Sequence, residues 1–263
     1  MKKRVLNILS WLALIIGIGF LLGFTKQKQK EKTCESLKIL IDHSNGNTFI
    51  NEEDIFQMVY HEVDTMVGKP LNEINTAHLE HKINHHPVVQ NSEVYKTLDG
   101  KVIIEVSQRT PIVRIFSFNG DSYYIDNNAK IMPPSSKYTA NLMVVSGFVF
   151  EDYISASQID IKGELKNKKG TSLITDIFKM AEYIKYDPLW SAQIEQLYVN
   201  KDFEIELIPR IGNHRIVFGD AASIKEKFDK LKIFYKEGLD KTGWNEYSVI
   251  NLKFANQVVC TKR

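Results

Sequence analysis

The pattern of apolar and polar positions divides the chain into three regimes. The first is VLNILSWLALIIGIGFLLGF, residues 5–24, with no charge and only Asn7 and Ser10 as clearly polar side chains. At about 1.5 Å per residue this run spans the hydrocarbon core of a bilayer, so it predicts a single transmembrane helix. A cleaved leader would have an apolar core of about 7–15 residues closed by a small-x-small site. Here the run ends in LLGFTKQKQK, which predicts an uncleaved signal anchor behind a short tail, residues 1–4. Lys2, Lys3 and Arg4 on one side nearly balance Lys26, Lys28, Lys30 and Lys32 on the other, so charge leaves the orientation open. Residues 25–34 read as a solvated charged linker.

The second regime, residues 35–110, switches between periods of two and of 3.6. SLKILI (36–41) predicts a strand and HSNGN a turn. Asn51 followed by Glu52, Glu53 and Asp54 predicts a helix start, with Ile55, Phe56, Val59 and Val63 as its apolar stripe. A second helix begins near Asn75, turns Leu79 and Ile83 inward and stops before Pro87. VVQNSEVYKT and KVIIEVSQR, joined through Asp99-Gly100, predict a hairpin. The order is β-α-α-β-β.

The third regime, residues 111–263, is strand-rich: IVRIFSF, SYYIDNN, AKIMP and NLMVVSG, then AQIEQLYVN, FEIELIP and HRIVFG. Helices are expected over 172–186 and 224–239, each with one apolar face, on one side of a mostly antiparallel sheet. The whole is an α+β chain. YSVINLKFANQVVCTKR, 247–263, remains strand-like almost to the carboxylate. A terminal strand suits strand addition at a sheet edge, with Tyr247, Val249, Asn251, Lys253, Phe254, Gln257, Val258, Val259 and Cys260 as candidate partner-binding residues. Ile250 and Leu252 would close the core. The alternative is an internal strand with no binding role.

Composition narrows the chemistry. Lys and Arg number 34 against 32 Asp and Glu, so no strong field points to nucleic acid. Cys34 and Cys260 stand at opposite ends of the chain and form no C-x-x-C motif; two unpaired thiols, or a Cys34 contact between chains, is the favoured reading over a bridge. No G-x-S-x-G, S-x-x-K, H-E-x-x-H or P-loop occurs, so no enzyme, cofactor or small-molecule substrate is expected. His78, His81 and His85 recur at helical intervals opposite Leu79 and Ile83, a pattern read as a solvated face in preference to a metal site; His86 is expected to pack beside Pro87. Gly19 and Gly23 form a G-x-x-x-G through which the anchor could pack on another helix.

Residues 35–110 resemble a POTRA domain, and the whole chain resembles the bacterial cell-division FtsQ (DivIB) family. The resemblance is carried by the anchor, NEEDIF, LEHKINHHPVV, IIEVSQRTPIVRI, YYIDNNAKIMP, LMVVSG, IVFGD and YSVINLKF. It implies a single-pass inner-membrane protein, N-terminus cytoplasmic and C-terminal domains periplasmic, located at the division septum. It implies a non-enzymatic divisome scaffold whose last strand receives a strand from FtsB, which acts with FtsL in regulating septal peptidoglycan synthesis, and whose POTRA domain serves recruitment. Asn251 and Lys253 stand where the family's terminal motif carries an acid and an arginine, and Phe254 where it carries a tyrosine. A family salt bridge using those charges is therefore not expected to carry over. The competing reading, a POTRA-bearing envelope assembly or secretion factor, would need a C-terminal membrane barrel where this chain has two amphipathic helices.

Overall fold

The computed structural model describes residues 11–20, 32–63, 66–167 and 171–263. Residues 11–20 form a helix, α1, whose side chains are exposed; the rest of the predicted 5–24 span, with Gly23 and most of the linker, lies outside the described residues. Among the described residues no helix is long and apolar enough to cross a membrane. Two compact units follow, the first ending at Gln108 and the second comprising Arg109–Arg263 with Asn47–Phe49.

In the first unit Asn51 and Asp54 open α2 (Glu52–Val63) by reciprocal bonds: each backbone N–H donates to the other's side-chain oxygen at 3.0 Å. This capping box satisfies two of the amides that a helix start leaves over. Asn75 caps α3 (Thr76–Asn84) through the His78 N–H at 3.1 Å. Ile55, Val59, Leu79 and Ile83 are buried, as the 3.6 period requires; the Val63 side chain lies outside the description. They cover a sheet of order β1-β3-β2, made of β1 (Ser36–Asp42), β2 (Val89–Lys96) and β3 (Lys101–Gln108), with β1 parallel and β2 antiparallel to β3. Gly100 takes φ +94° in the hairpin turn, a conformation open to glycine at little cost. His78, His81 and His85 are exposed, and the His85 Nδ1 meets the His81 carbonyl at 2.6 Å. Among the described residues no group of three or more His, Cys, Asp or Glu is placed to hold a metal. His86 is half-buried, and burial lowers its pKa.

The second unit is one nine-stranded sheet of order β12-β11-β10-β9-β8-β7-β4-β5-β6. Its strands are β4 (Pro111–Phe116), β5 (Ser122–Asp126), β6 (Ile131–Met132), β7 (Val144–Gly147), β8 (Ile194–Val199), β9 (Ile205–Pro209), β10 (Arg215–Gly219), β11 (Tyr247–Asn251) and β12 (Val259–Lys262). Pairs β4–β7, β7–β8 and β10–β11 are parallel and the remaining five antiparallel. The expected helices are α6 (Leu173–Tyr186) and α8 (Ile224–Phe234), the latter running on as a π-helical turn through Leu239. Ile177, Phe178, Ala181, Phe228 and Leu231 join Ile115, Val145, Leu197, Leu207, Phe218 and Ile250 in one core.

Three helices escape the sequence pattern: α4 (Tyr153–Ser157), α5 (Ile161–Asn167) and α7 (Pro188–Gln193). The first two are too short to show a period. Asp187-Pro188 ends α6, but Asp187 also caps α7 through the Leu189 and Trp190 amides, and proline suits a first helical position because its missing N–H would have no partner there.

Gly147 has φ +103°, and a β-carbon there would stand 2.1 Å from the Val199 carbonyl oxygen on the parallel strand β8. Gly147→Ala must part β7 from β8, and we expect it to cost at least about 2 kcal/mol of unfolding free energy. Urea unfolding of the full chain checks this; a loss below about 0.5 kcal/mol would contradict the close approach.

Candidate functional site

The terminal run 247–263 is not one strand. Leu252 to Val258 form a turn, and the hairpin pairs Asn251 with Val259, Ile250 with Cys260 and Val249 with Thr261. Lys230 on α8 fixes the turn from below, its ammonium donating to the carbonyls of Leu252 and Phe254. Lys253, Phe254 and Gln257 therefore sit on a turn, which their strand-like composition did not suggest; the intervening Ala255-Asn256 supplies the reversal.

Backbone direction divides the remaining residues. The Leu252 N–H donates to the Val217 carbonyl, so positions 250 and 252 address β10 while 249 and 251 address β12. Their partners Thr261 and Val259 face β11, and the Arg263 N–H donates to the Glu246 carbonyl in the same sense. The Cys260 N–H and C=O and the Lys262 N–H are left at the outer side of β12, where no other described strand pairs, while the Lys262 carbonyl accepts the Ser248 hydroxyl of β11 at 3.4 Å. Tyr247, Val249 and Asn251 belong to β11, flanked by strands on both sides, so only their side chains are available.

Side chains alternate accordingly. Ile250 and Leu252 are fully buried, and Tyr247, Val258 and Cys260 pack at the margin of the core. Burial pushes the Cys260 thiol pKa up, which keeps it protonated and unreactive; Cys34, also a thiol, is buried and shifted the same way. Val259 opposes Asn251 on the other face and is 41% exposed. Phe254 is 45% exposed on the turn. Gly19, the described half of the G-x-x-x-G, has open space where a β-carbon would stand.

Some contacts that shape the hairpin carry no signal in the sequence. Lys253, at the position where a family salt bridge was not expected to persist, pairs with Glu204 at 2.6 Å, and the Asn251 Oδ1 accepts the Lys253 N–H. Glu204 lies 49 positions away in the β8–β9 turn, beyond any local pattern. Lys262 pairs with Glu246 at 3.3 Å.

Beneath β10 and β11 the buried His214 faces the Tyr235 hydroxyl at 3.1 Å through Nε2, with the rings of Tyr235 and Trp244 in contact. Burial lowers the His214 pKa below its ordinary 6.5, and Arg263 adds to this, against a backbone hydrogen bond at Trp244. The unfolded chain thus takes up a proton that the folded one resists. Stability from this group is complete above the unfolded value and is lost as the pH falls below it. Urea unfolding at pH about 7.5 and about 5.5 should show the wild type weaken in acid and His214→Gln weaken less; equal slopes would remove His214 as the cause.

A family model for FtsQ/DivIB, C-terminal related, matches residues 110–261, and one for a POTRA-like domain matches residues 32–107. No curated protein matches the chain. The first match takes in more than half of the sequence and all but the last residue of the nine-stranded sheet, the second all but the last residue of the three-stranded sheet ahead of it. Cell division is the setting of that family, and it is a family of scaffolds without catalytic activity. The chain belongs to the FtsQ/DivIB C-terminal related family and carries a POTRA-like domain in front of it.

Proposed function

We propose that the chain is a non-enzymatic scaffold of the divisome that binds FtsB, with FtsL, by accepting a strand along the outer side of β12, and so couples assembly of division proteins to septal peptidoglycan synthesis. The observation that carries this reading is the outer edge of β12, where Cys260 presents its N–H and C=O to no described strand. A strand docking there satisfies those groups, and alternate side chains of the newcomer meet Val259 and Phe254. Each edge hydrogen bond contributes only about 0.5–1.5 kcal/mol net, so these apolar contacts supply much of the selectivity.

Membrane placement belongs to the same reading: one pass over residues 5–24, N-terminus cytoplasmic, both units periplasmic, Gly19 and Gly23 packing on another anchor helix. In α1, Trp11, Leu12, Leu14, Ile15, Ile16, Ile18 and Phe20 are all exposed, which suits hydrocarbon surroundings. The POTRA-like unit serves recruitment. The test is binding of the full chain in nanodiscs to the FtsB–FtsL pair of the same cell, with a fluorescent fusion followed through division. Saturable binding and a septal signal are expected; absence of binding, or a signal spread evenly over the envelope, overturns the reading.

A further inference from the structure

Beside the hairpin turn, the second unit displays four phenylalanine rings on three loops. Phe118 stacks on Phe148 with centroids 5.4 Å apart and meets Phe150 at 5.2 Å; Phe150 meets Phe203 at 6.0 Å. Phe118, Phe150 and Phe203 are 58%, 46% and 56% exposed, an arrangement whose hydration is costly and which marks an interaction surface when it is contiguous. The display is held rigidly. Phe203 has φ +61°, unfavourable for a bulky side chain, and its turn is fixed by the Asn200 side chain, which accepts the Asp202 and Glu204 amides at 2.9 and 3.0 Å. Fixed rings lose little freedom on binding.

The same three loops are acidic. Asp121, Glu151, Asp152 and Asp202 lie on them against Lys201, and Glu204 beside them is paired with Lys253. Asp121 and Asp152 also cap the start of α4, accepting the Tyr153 and Ser155 amides. The buried Tyr123 hydroxyl registers the local field: its pKa is pushed up by burial first and then by Glu151, Asp121 and Asp152. Anionic lipid headgroups and a second copy of this acidic rim are both repelled. Phenylalanine offers a sugar no hydrogen bond, so a glycan would gain only ring contact.

We propose that this phenylalanine ledge is a docking surface for a basic amphipathic helix of a protein partner, whose leucine-like side chains cover Phe118, Phe150 and Phe203 while its lysines or arginines face the acidic rim. The ledge stands at the end of the sheet where β4, β7, β8, β10 and β11 all terminate, so it flanks the Lys253–Phe254 turn. A cleft of about 450 Å³ lined by Phe203, Glu204, Asp220, Lys227 and Lys253 lies between them. The inference does not depend on strand addition at β12.

The test uses the full chain in nanodiscs of zwitterionic lipid and a labelled synthetic helix with leucines at positions i, i+3, i+4 and i+7 and lysines elsewhere, read by fluorescence anisotropy. Saturable binding is expected, weakened at least about tenfold by the pair Phe150→Ser and Phe203→Ser, by Asp202→Lys with Glu151→Lys, and by about 0.5 M salt. Cys260→Pro leaves it unchanged, which separates this surface from the β12 edge. The charge-reversed pair, confined to loop side chains, keeps the test valid if the serine pair unfolds. The proposal is overturned if the lysine helix does not saturate, if a glutamate version binds equally well, or if neither substituted pair weakens binding. It is equally overturned if soluble peptidoglycan strands or anionic vesicles, and not the helix, bind in a manner lost with Phe203.

Discussion

Cys260→Pro should weaken binding of FtsB and FtsL about a hundredfold while the protein stays folded. Position 260 addresses the outer side of β12, so proline there removes an edge donor without touching the hairpin bonds at Val259 and Thr261. The ring also intrudes on a strand that must approach to about 4.8 Å. Loss of a hydrogen bond together with this clash corresponds to about 3 kcal/mol, or about a hundredfold in affinity. Edge strands tolerate proline, and the half-buried Cys260 is replaced by another apolar group, so the urea midpoint should stay near that of the wild type. Thr261→Pro is the informative contrast. Its N–H faces β11, so it should lower stability and binding together. Titration calorimetry of the full chain with the partner pair decides: wild-type affinity in Cys260→Pro would end the strand-addition model.

The second large effect is expected at Asp126, fully buried at the end of β5. Its Oδ1 accepts the amides of Asn128 and Lys130 at 2.8 and 2.7 Å, and its Oδ2 accepts Arg109 Nη1 at 3.0 Å. The turn it organises places Ala129 at φ +58° and returns the chain into β6. Asp126→Ala strips two amides and a half-buried guanidinium of this partner at once, and should cost about 3–5 kcal/mol of unfolding free energy. Asp126→Asn can keep the amide bonds through its oxygen and should cost markedly less. Denaturant unfolding of the second unit measures both; a loss under about 1 kcal/mol for the alanine variant would show that water replaces the carboxylate.

These two residues differ in how far the sequence reveals them. Asp126 sits in YYIDNNAKIMP, where Asp-Asn-Asn between apolar runs announces a turn, though its pairing with Arg109 does not show. Cys260 reads as one of several candidate partner-binding positions in a strand-like run, with nothing local to single it out as the outer edge donor. The helices α2, α3 and α6 follow from their caps and stripes, because capping is a bond between near neighbours. The short α4, α5 and α7 do not, since fewer than two turns carry too few positions for a period to stand out.

The sequence by itself determined the α+β class, the order β-α-α-β-β of the first unit, the inward placement of Ile55, Val59, Leu79 and Ile83 on α2 and α3, and the burial of Ile250 and Leu252. All of these rest on periodicity and capping, which act over three or four residues. Only the tertiary structure decided that 247–263 is a hairpin with β11 inside the sheet and β12 outside, that Lys253 finds Glu204, and that Phe118, Phe148, Phe150 and Phe203 meet on one ledge. The physical reason is that strand order and loop convergence are set by contacts between distant segments. A strand's own residues are the same whether a neighbour flanks it on one side or on two.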